Sequence, residues 1–262
     1  MHTTMQPRAA ATVILVRSAS DAGLEVLLVR RSRRSAFAPD AYVFPGGALD
    51  ERDREGALPM PEPRIAESAL LPSPLPRPDP LTLGALRIAA ARELLEEAGI
   101  VLARSQGVRE SDGVVAPEIR AAIRASLRNG RPSFVHVVTS FGLRPATEEL
   151  VLFSRWITPP DEPRRFDAYF FVARTPDGQV ATADAIETHD GLWLAPGEAL
   201  AQYAIGRLHL VYPTIKHLER LAAFDDVDAL LEFAARKPIV TIAPDRSPER
   251  GFSLPLSLEG SW

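Results

Sequence analysis

The sequence of 262 residues has no cysteine and no long apolar run. Without cysteine there are no disulfides, thiolate metal sites or cysteine nucleophiles, and this composition favours a reducing compartment such as the cytoplasm. No segment reaches the roughly 18 consecutive apolar residues that are needed to cross a bilayer. The apolar stretch after Arg8 favours a buried strand over a short signal peptide. We therefore expect a cytoplasmic protein without a membrane partner.

An excess of positive charge is also missing. The chain has 30 Lys and Arg against 34 Asp and Glu, for a net charge of −4, so no overall positive field would attract nucleic acid. An anionic ligand must then be held by local basic groups. With 46% hydrophobic and 24% charged residues, the composition is typical of one large globular domain. We expect a small-molecule partner and no nucleic acid, and the oligomeric state stays open, with a homodimer as one possibility.

Several catalytic sequence motifs do not occur in the chain. There is no His-Glu-x-x-His pair, no Gly-x-Ser-x-Gly elbow, no phosphate-binding loop and no dinucleotide fingerprint. These absences argue against zinc proteases, serine hydrolases of the α/β type, P-loop enzymes and nicotinamide-dependent dehydrogenases.

Hydrophobic periodicity predicts alternating strands and helices. Strands are predicted at residues 11–17, 25–30, 41–44, 134–138, 150–157 and 168–173, and helices at 83–98, 116–128, 197–205 and 213–224.

Proline is abundant in one part of the chain. Its density between Glu51 and Pro80 forbids a regular helix or central strand there, which predicts an inserted loop at about 52–81. A second, helical insertion is predicted at about 104–132. The main domain would span 9–224, and 225–262 would be a helix end followed by a Pro-rich tail on the surface.

Three carboxylates share one part of the helix at 83–98. Glu93 lies three and four positions before Glu96 and Glu97, so all three project from adjoining parts of one face. Like charges at this spacing repel each other, and the negative end of the helix dipole adds to the cost unless a cation binds. Hard divalent ions prefer such oxygen ligands. Arg92 can pair with Glu96 and orient it, and the alternative is an acidic helix end in solvent.

The segment Arg92–Ile100 resembles a known family motif. It matches Arg-Glu-U-x-Glu-Glu-x-Gly-U, the second half of the Nudix box, where U is an aliphatic residue. The upstream Phe44–Gly47, Phe-Pro-Gly-Gly, is also typical of that family. Gly47 precedes Arg92 by 45 positions, 31 more than in an uninterrupted box, so the box resembles one that is split by the Pro-rich insertion. Counting forward from Gly47 places the first acidic position of the box on Asp53.

The resemblance implies a fold and a set of site residues. The fold would be an α/β Nudix-type α/β/α sandwich with a mixed sheet. Glu93, Glu96 and Glu97 would hold Mg²⁺ or Mn²⁺, and Arg92 would orient them. Glu187 would add a distal ligand or the base, with a solvated loop acid as the alternative. Asp50 and Asp53 are weaker candidates.

The segments Val26–Gly47 and Trp156–Asp167 are similar to the acyl-CoA diphosphatase-like branch of that family. The implied activity is hydrolysis of the pyrophosphate linkage of CoA or acyl-CoA, although a CoA-type signature has Arg and Gly at the positions of Ala36 and Asp40. Candidate substrate-binding residues are Arg30, Arg31, Phe44, Gly46, Gly47, Arg164 and Arg165.

Other interpretations stay open at this point. The enzyme could be an ADP-ribose or dinucleotide pyrophosphatase, and a non-catalytic nucleotide-binding module could keep the same fold. The arginines could serve solubility, since charged runs are usually solvated. For Trp156 and Trp193, packing in the core is favoured over stacking on a base.

Overall fold

The computed structural model describes residues 6–19, 23–35, 38–60, 75–106, 114–128, 132–182, 188–247, 249, 251–255, 258 and 262. Residues 61–74 of the predicted Pro-rich loop and the candidate Glu187 lie outside these ranges.

The described chain is built on one mixed sheet. The strands are β1 (Arg8–Ser18), β2 (Leu24–Arg31), β3 (Tyr42–Val43), β4 (Gly46–Ala48), β5 (Ala103–Ser105), β6 (Leu143–Pro145), β7 (Val151–Ile157), β8 (Phe166–Arg174), β9 (Thr188–Leu194), β10 (Thr241–Ile242), β11 (Asp245–Ser247) and β12 (Gly251–Ser253). The main sheet has eight strands in the order β10-β7-β8-β1-β2-β3, with β4 added to β1 and β9 to β2. Strands β5 and β6 form a separate pair, as do β11 and β12. Strands β1 and β8 run parallel, as do β10 and β7, whereas β1 and β2, which cover the strands predicted at 11–17 and 25–30, form an antiparallel hairpin.

Helices cover both faces of this sheet. They are α1 (Pro80–Ala98), α2 (Pro117–Arg128), α3 (Phe134–Ser140), α4 (Pro196–Ala204), α5 (Tyr212–Leu221) and α6 (Val227–Arg236). One buried hydrophobic cluster lies between one face of the sheet and helices α1, α2 and α3. A second lies between the opposite face and helices α4, α5 and α6. Since helices lie on both sides of the mixed sheet, the predicted α/β/α sandwich is confirmed.

Helix α1 is buried on most of its circumference. Thirteen of its nineteen residues are buried, which an Ala- and Leu-rich sequence permits because few polar groups lose their hydration. Asp79 accepts a hydrogen bond from the Thr82 amide at the N-terminus, and Gly99 ends the helix with a left-handed φ of 66°. Both signals agree with the helix predicted at 83–98.

The strand predicted at 134–138 is wrong, because these residues begin helix α3. The Ser133 side chain accepts a hydrogen bond from the His136 amide and caps the helix. Phe134, Val137 and Val138 are buried at i, i+3 and i+4, the spacing of a helix face. In so short a segment, strand propensity is overruled by the cap and by packing.

The C-terminal segment is more than a surface tail. Residues 227–236 form α6, and β10 joins the main sheet beside β7. Trp262 is buried and contacts the rings of Trp156 and His217 at 5.4 and 5.1 Å. The expectation of a tail on the surface is therefore corrected, because these apolar residues complete the second buried cluster.

Within the described ranges, no helix is long and apolar enough to cross a membrane.

Candidate active site

The C-terminal half of α1 carries the three predicted carboxylates, but in different surroundings. Glu93 and Glu97 are buried and line a cleft, whereas Glu96 is a third exposed and accepts a hydrogen bond from Arg92 at 2.8 Å. The Glu97 carboxylate also accepts a hydrogen bond from the Gly46 amide at 2.9 Å. The structure thus brings Glu93 and Glu97 together at the cleft and turns Glu96 toward Arg92.

Strand β4 can lie against α1 because it begins with two glycines. A Cβ on Gly47 would be 2.3 Å from the Glu93 Oε1 atom, and one on Gly46 would be 2.5 Å from the Ala11 carbonyl oxygen. Both distances are far below a contact that side chains can make. Gly47 therefore lets the backbone approach the Glu93 carboxylate, and Gly46 lets it approach strand β1.

Asp53 and Arg92 rejoin the two separated halves of the sequence motif. Asp53 is 1% exposed and accepts hydrogen bonds from Arg92 Nε at 2.8 Å and Nη2 at 2.9 Å. The second Asp53 oxygen also accepts a bond from the Asp50 amide at 2.8 Å, which closes a turn at residues 50–53. Asp53 is a weaker candidate than Glu93 from the sequence alone, yet this aspartate fixes the guanidinium that holds the carboxylates.

Burial alone would lower the pKa of Arg92, because a charged group loses its hydration. The hydrogen bond to Asp53 and the negative charges of Glu93, Asp53 and Glu96 outweigh this effect and raise the pKa. Arg92 is therefore a permanent cation that bridges the carboxylates of Asp53, Glu93 and Glu96. Arg92 can therefore orient the carboxylates through hydrogen bonds, but it cannot act as a general acid or base.

The negative end of the α1 dipole is compensated by arginines of helix α2. Arg124 donates to the Glu96 carbonyl from Nε at 3.1 Å and from Nη2 at 2.6 Å, and Arg120 donates to the Gly99 carbonyl at 3.3 Å. Cations at the C-terminal end of a helix offset its dipole and satisfy its last carbonyls. The sequence shows that the glutamates lie at the unfavourable end of the helix dipole. It does not show that arginines of α2 offset this end.

The donors at the cleft have the chemistry of a hard-cation site. In the described part of the chain, no three His, Cys, Asp or Glu side chains are grouped as a ready metal site. Glu93 and Glu97 nevertheless offer buried oxygen donors beside a glycine backbone. Mg²⁺ is commonly held by one or two carboxylates, with water and substrate phosphate as further ligands. The residues present therefore fit such an ion.

The cleft has a volume of about 890 Å³, near the upper end of the range for small-molecule sites. Its lining combines the two carboxylates with basic and apolar groups. These are, among others, Arg8, Arg31, Arg34, Arg164, Phe44, Gly46, Gly47, Trp156, Phe170, Tyr212, Pro244 and Phe252. Such a surface suits a ligand that is anionic in one part and apolar in another.

The predicted basic residues separate into two groups. Arg31 and Arg164 line the cleft. Arg30, on the opposite side of β2, pairs with Asp40 at 2.7 Å, and Arg165 donates from Nε to the Thr158 carbonyl at 3.1 Å. Arg30 and Arg165 are absent from the described cleft lining, so the structure does not bring them to the candidate ligand.

Asp40 occupies a position where the CoA-type signature has glycine. Its φ is 65°, a left-handed conformation that glycine adopts freely and that Asp tolerates better than most residues. The hydrogen bond from Arg30 lowers the pKa of Asp40. Asp40 therefore adopts a backbone conformation that is open to glycine and forms an ion pair with Arg30.

The two tryptophans of interest lie in different places. Trp156 is buried in the second cluster and also contributes to the cleft lining. Trp193 is partly buried, and the guanidinium of Arg17 lies 4.3 Å from its ring centroid.

Two residues of the cleft lining, Arg8 and Phe252, are not among the candidates from the sequence. They are far from the motif along the chain, and no local pattern marks them.

Comparison with known proteins agrees with this geometry. Residues 65–221 match the model of the family described as the NUDT19 Nudix domain. A crystal structure of a Nudix hydrolase from Alicyclobacillus acidocaldarius superposes with a TM-score of 0.70 at 27% identity, covering 88% of this chain and 97% of that one. The fold and the site thus define the class of the Nudix hydrolases. Within that class, the chain belongs to the NUDT19 Nudix domain family.

Two curated relatives of this chain are acyl-coenzyme A diphosphatases. The Xenopus laevis protein is 28% identical over 243 residues, or 82% of this chain, and the Homo sapiens protein is 29% identical over 239 residues, or 80%. Each alignment spans 64% of the relative's own length.

Proposed function

We propose that the protein hydrolyses the pyrophosphate linkage of a nucleoside diphosphate derivative, with CoA or acyl-CoA as the substrate and Mg²⁺ or Mn²⁺ as the cofactor. The observation that carries this proposal is the placement of Glu93 and Glu97 beside Gly46 and Gly47 at a cleft with basic groups in its lining. Clustered acids of this kind have a function in cation-assisted phosphate chemistry that a pure binding module would not need.

Each group of residues has a separate task in this proposal. Glu93 and Glu97 would hold the cation, and Glu96 would join them or stay on Arg92. A bound divalent cation supplies neutralisation of phosphate charge and activation of water. Arg92 and Asp53 keep the carboxylates in place. The base that takes the water proton would be Glu187 or one of the helix carboxylates. The geometry of the substrate complex decides between them.

The cleft lining supports a CoA-type substrate. Arginine forks bind phosphate through paired hydrogen bonds, and Arg31 and Arg164, which line the cleft, would bind the phosphates, the 3′-phosphate of CoA included. The names of the Xenopus and human relatives point to the same substrate class. We further propose a cytoplasmic protein that acts without nucleic acid or membrane partners.

The test is a turnover screen of CoA, acyl-CoA, ADP-ribose and NADH with Mg²⁺ and Mn²⁺, in which product masses identify the bond cleaved. We expect 3′,5′-ADP and a 4′-phosphopantetheine product from the CoA substrates. Glu97→Gln should abolish turnover, whereas Glu198→Gln, on the exposed surface of α4, should not. Faster cleavage of ADP-ribose than of every CoA species would instead identify an ADP-ribose pyrophosphatase. Binding without cleavage of any compound would indicate a nucleotide-binding module.

A further inference from the structure

The C-terminal hairpin forms one wall of the cleft. Strands β11 and β12 pair antiparallel, with Arg246 opposite Phe252. Pro244 and Phe252 line the cleft, although both lie beyond residues 65–221, the part that matches the family model. The cleft is therefore completed by a part of the chain outside the matched domain.

The surface next to this wall is aromatic. The ring of Phe252 packs on Tyr212 with centroids 5.7 Å apart and an interplanar angle of 30°. Trp156 contacts both Tyr212 and Phe170, at 6.3 and 6.5 Å. All four rings belong to the cleft lining. Such a surface has little to offer a phosphate, but it can remove an alkyl chain from water.

One ion pair connects the hairpin to the rest of the cleft. Arg246 contacts the Glu162 carboxylate at 2.7 Å, and its guanidinium lies 5.7 Å from the Phe252 ring centroid. Glu162 belongs to the loop between β7 and β8, which also carries Arg164. Arg246 thus links the aromatic wall to a loop that supplies both acidic and basic groups to the cleft.

From these contacts we propose that the hairpin binds the acyl chain of the substrate, with Phe252 as the contact residue and Arg246 as a positioning residue. The proposal rests on the proposed function, since it assigns one part of an acyl-CoA to one wall of the same cleft. Each methylene that is removed from water favours binding by about fourfold. A contact with one or two methylenes is therefore measurable as a preference for acyl-CoA over CoA.

The experiment compares KM and kcat for octanoyl-CoA and for CoA in the full-length chain. Phe252→Ala should raise KM for octanoyl-CoA about fivefold and leave its kcat and both constants for CoA nearly unchanged. Phe252→Leu keeps an apolar side chain and should restore most of the loss. Arg246→Gln should act in the same direction by about twofold, because a partly exposed ion pair contributes little. Tyr203→Ala removes an exposed aromatic ring on α4, outside the described cleft lining, and should change neither substrate.

An equal rise in KM for both substrates, or no rise in Phe252→Ala, would overturn the assignment of the acyl chain to the hairpin. If the wild-type protein cleaves neither compound, the proposed function is wrong, and calorimetric titration with octanoyl-CoA and CoA then decides about the hairpin. Tighter binding of octanoyl-CoA that is lost in Phe252→Ala would support the assignment. Equal affinities of wild-type protein for the two compounds would refute it.

Discussion

Arg92 and Asp53 are 39 positions apart in the chain and form a two-point ion pair, with Nε–Oδ1 at 2.8 Å and Nη2–Oδ2 at 2.9 Å. Asp53 follows β4 in a short 3₁₀ turn, and Arg92 lies on α1. The ion pair therefore joins two residues that the Pro-rich stretch separates along the chain. A buried pair of this kind matters most when one partner is removed.

The first prediction concerns the loss of this partner. Asp53→Asn should lower the free energy of unfolding by about 2–3 kcal/mol, below the full cost of an orphaned charge because Glu93 and Glu96 still contact Arg92. Activity should fall as well, because Arg92 no longer has a fixed orientation. Urea unfolding and steady-state kinetics measure the two effects. Glu51→Gln, an exposed neighbour in the same turn, is the matched control and should change neither.

The second prediction concerns the glycine beside the carboxylate. In Gly47→Ala the new Cβ would lie 2.3 Å from Glu93 Oε1, so strand or carboxylate must move. We expect a loss of about 1–3 kcal/mol in stability and at least about tenfold in kcat. Gly197→Ala in α4 meets nothing within 4 Å and should stabilise the protein by about 0.5–1 kcal/mol. Full activity in Gly47→Ala would contradict the close approach that we describe.

The third prediction is that the loss of folding stability at acid pH depends on His217, which is fully buried beneath the cleft. Its ring stacks on Phe170 at 4.2 Å, and its two nitrogens lie 2.7 Å from Ser154 Oγ and 2.7 Å from the Pro213 carbonyl oxygen. Burial lowers the pKa of His217 from 6.5 to about 3. Between those values the unfolded chain binds a proton that the folded protein does not, so stability is present above pH 6.5 and falls as the pH is lowered.

The contribution of His217 to this slope approaches about 1.4 kcal/mol per pH unit below pH 6. His217→Phe should remove that contribution, and His136→Gln, on an exposed position of α3, should keep it. Unfolding in urea at several pH values between 4.5 and 7 measures the difference between variant and wild type. Parallel pH profiles for wild type and His217→Phe would show that the buried ring does not resist protonation.

Local patterns in the sequence were sufficient for the main elements. The first two strands, the helix at 83–98 and the pairing of Arg92 with Glu96 depend on neighbours within a few positions, and all three are confirmed. For α3, the short apolar run predicts a strand, and the Ser133 cap is the local signal that distinguishes the helix. Short segments leave strand and helix hard to separate by periodicity.

Long-range contacts were beyond the reach of the same patterns. Nothing near Arg124 in the sequence indicates that it binds the Glu96 carbonyl, and nothing near Phe252 indicates a cleft. The sequence likewise does not show which of the basic residues line the cleft. Arg30 and Arg31 are adjacent in sequence, yet on a strand they face opposite sides, and the sequence does not show which side faces the ligand.

The fourth prediction tests helix α2 as a support for α1. Arg124→Met should destabilise the protein by about 1–2 kcal/mol, because the Glu96 carbonyl loses two donated hydrogen bonds. Arg236→Met removes an exposed arginine that pairs with Glu232 in α6 and is the matched control. Hydrogen exchange of the amides in the last turn of α1 should accelerate in the first variant and stay unchanged in the second. Equal exchange in both variants would show that α2 does not stabilise this turn.

The last prediction separates two parts of the Pro-rich insertion. Arg155, paired with Asp167 at 2.7 Å, also donates to the Pro76 carbonyl at 3.0 Å, and the Leu58 carbonyl oxygen would be 2.1 Å from a Cβ on Gly84. Both flanks of the insertion therefore pack on the domain. Replacing 61–74 by a Gly/Ser linker should change stability little, because the entropy of loop closure varies slowly with length.

Replacing the longer segment 54–78 should instead cost about 1–3 kcal/mol, since buried Arg155 loses an acceptor and α1 loses its cover at Gly84. Urea unfolding of the two replacements measures the difference. Arg155→Met in each background identifies its source, because the variant should cost less where the Pro76 carbonyl is already gone. Equal stability of the two replacements would show that the flanks contribute nothing to the fold, and the hydrogen bond to Pro76 would then have no measurable role.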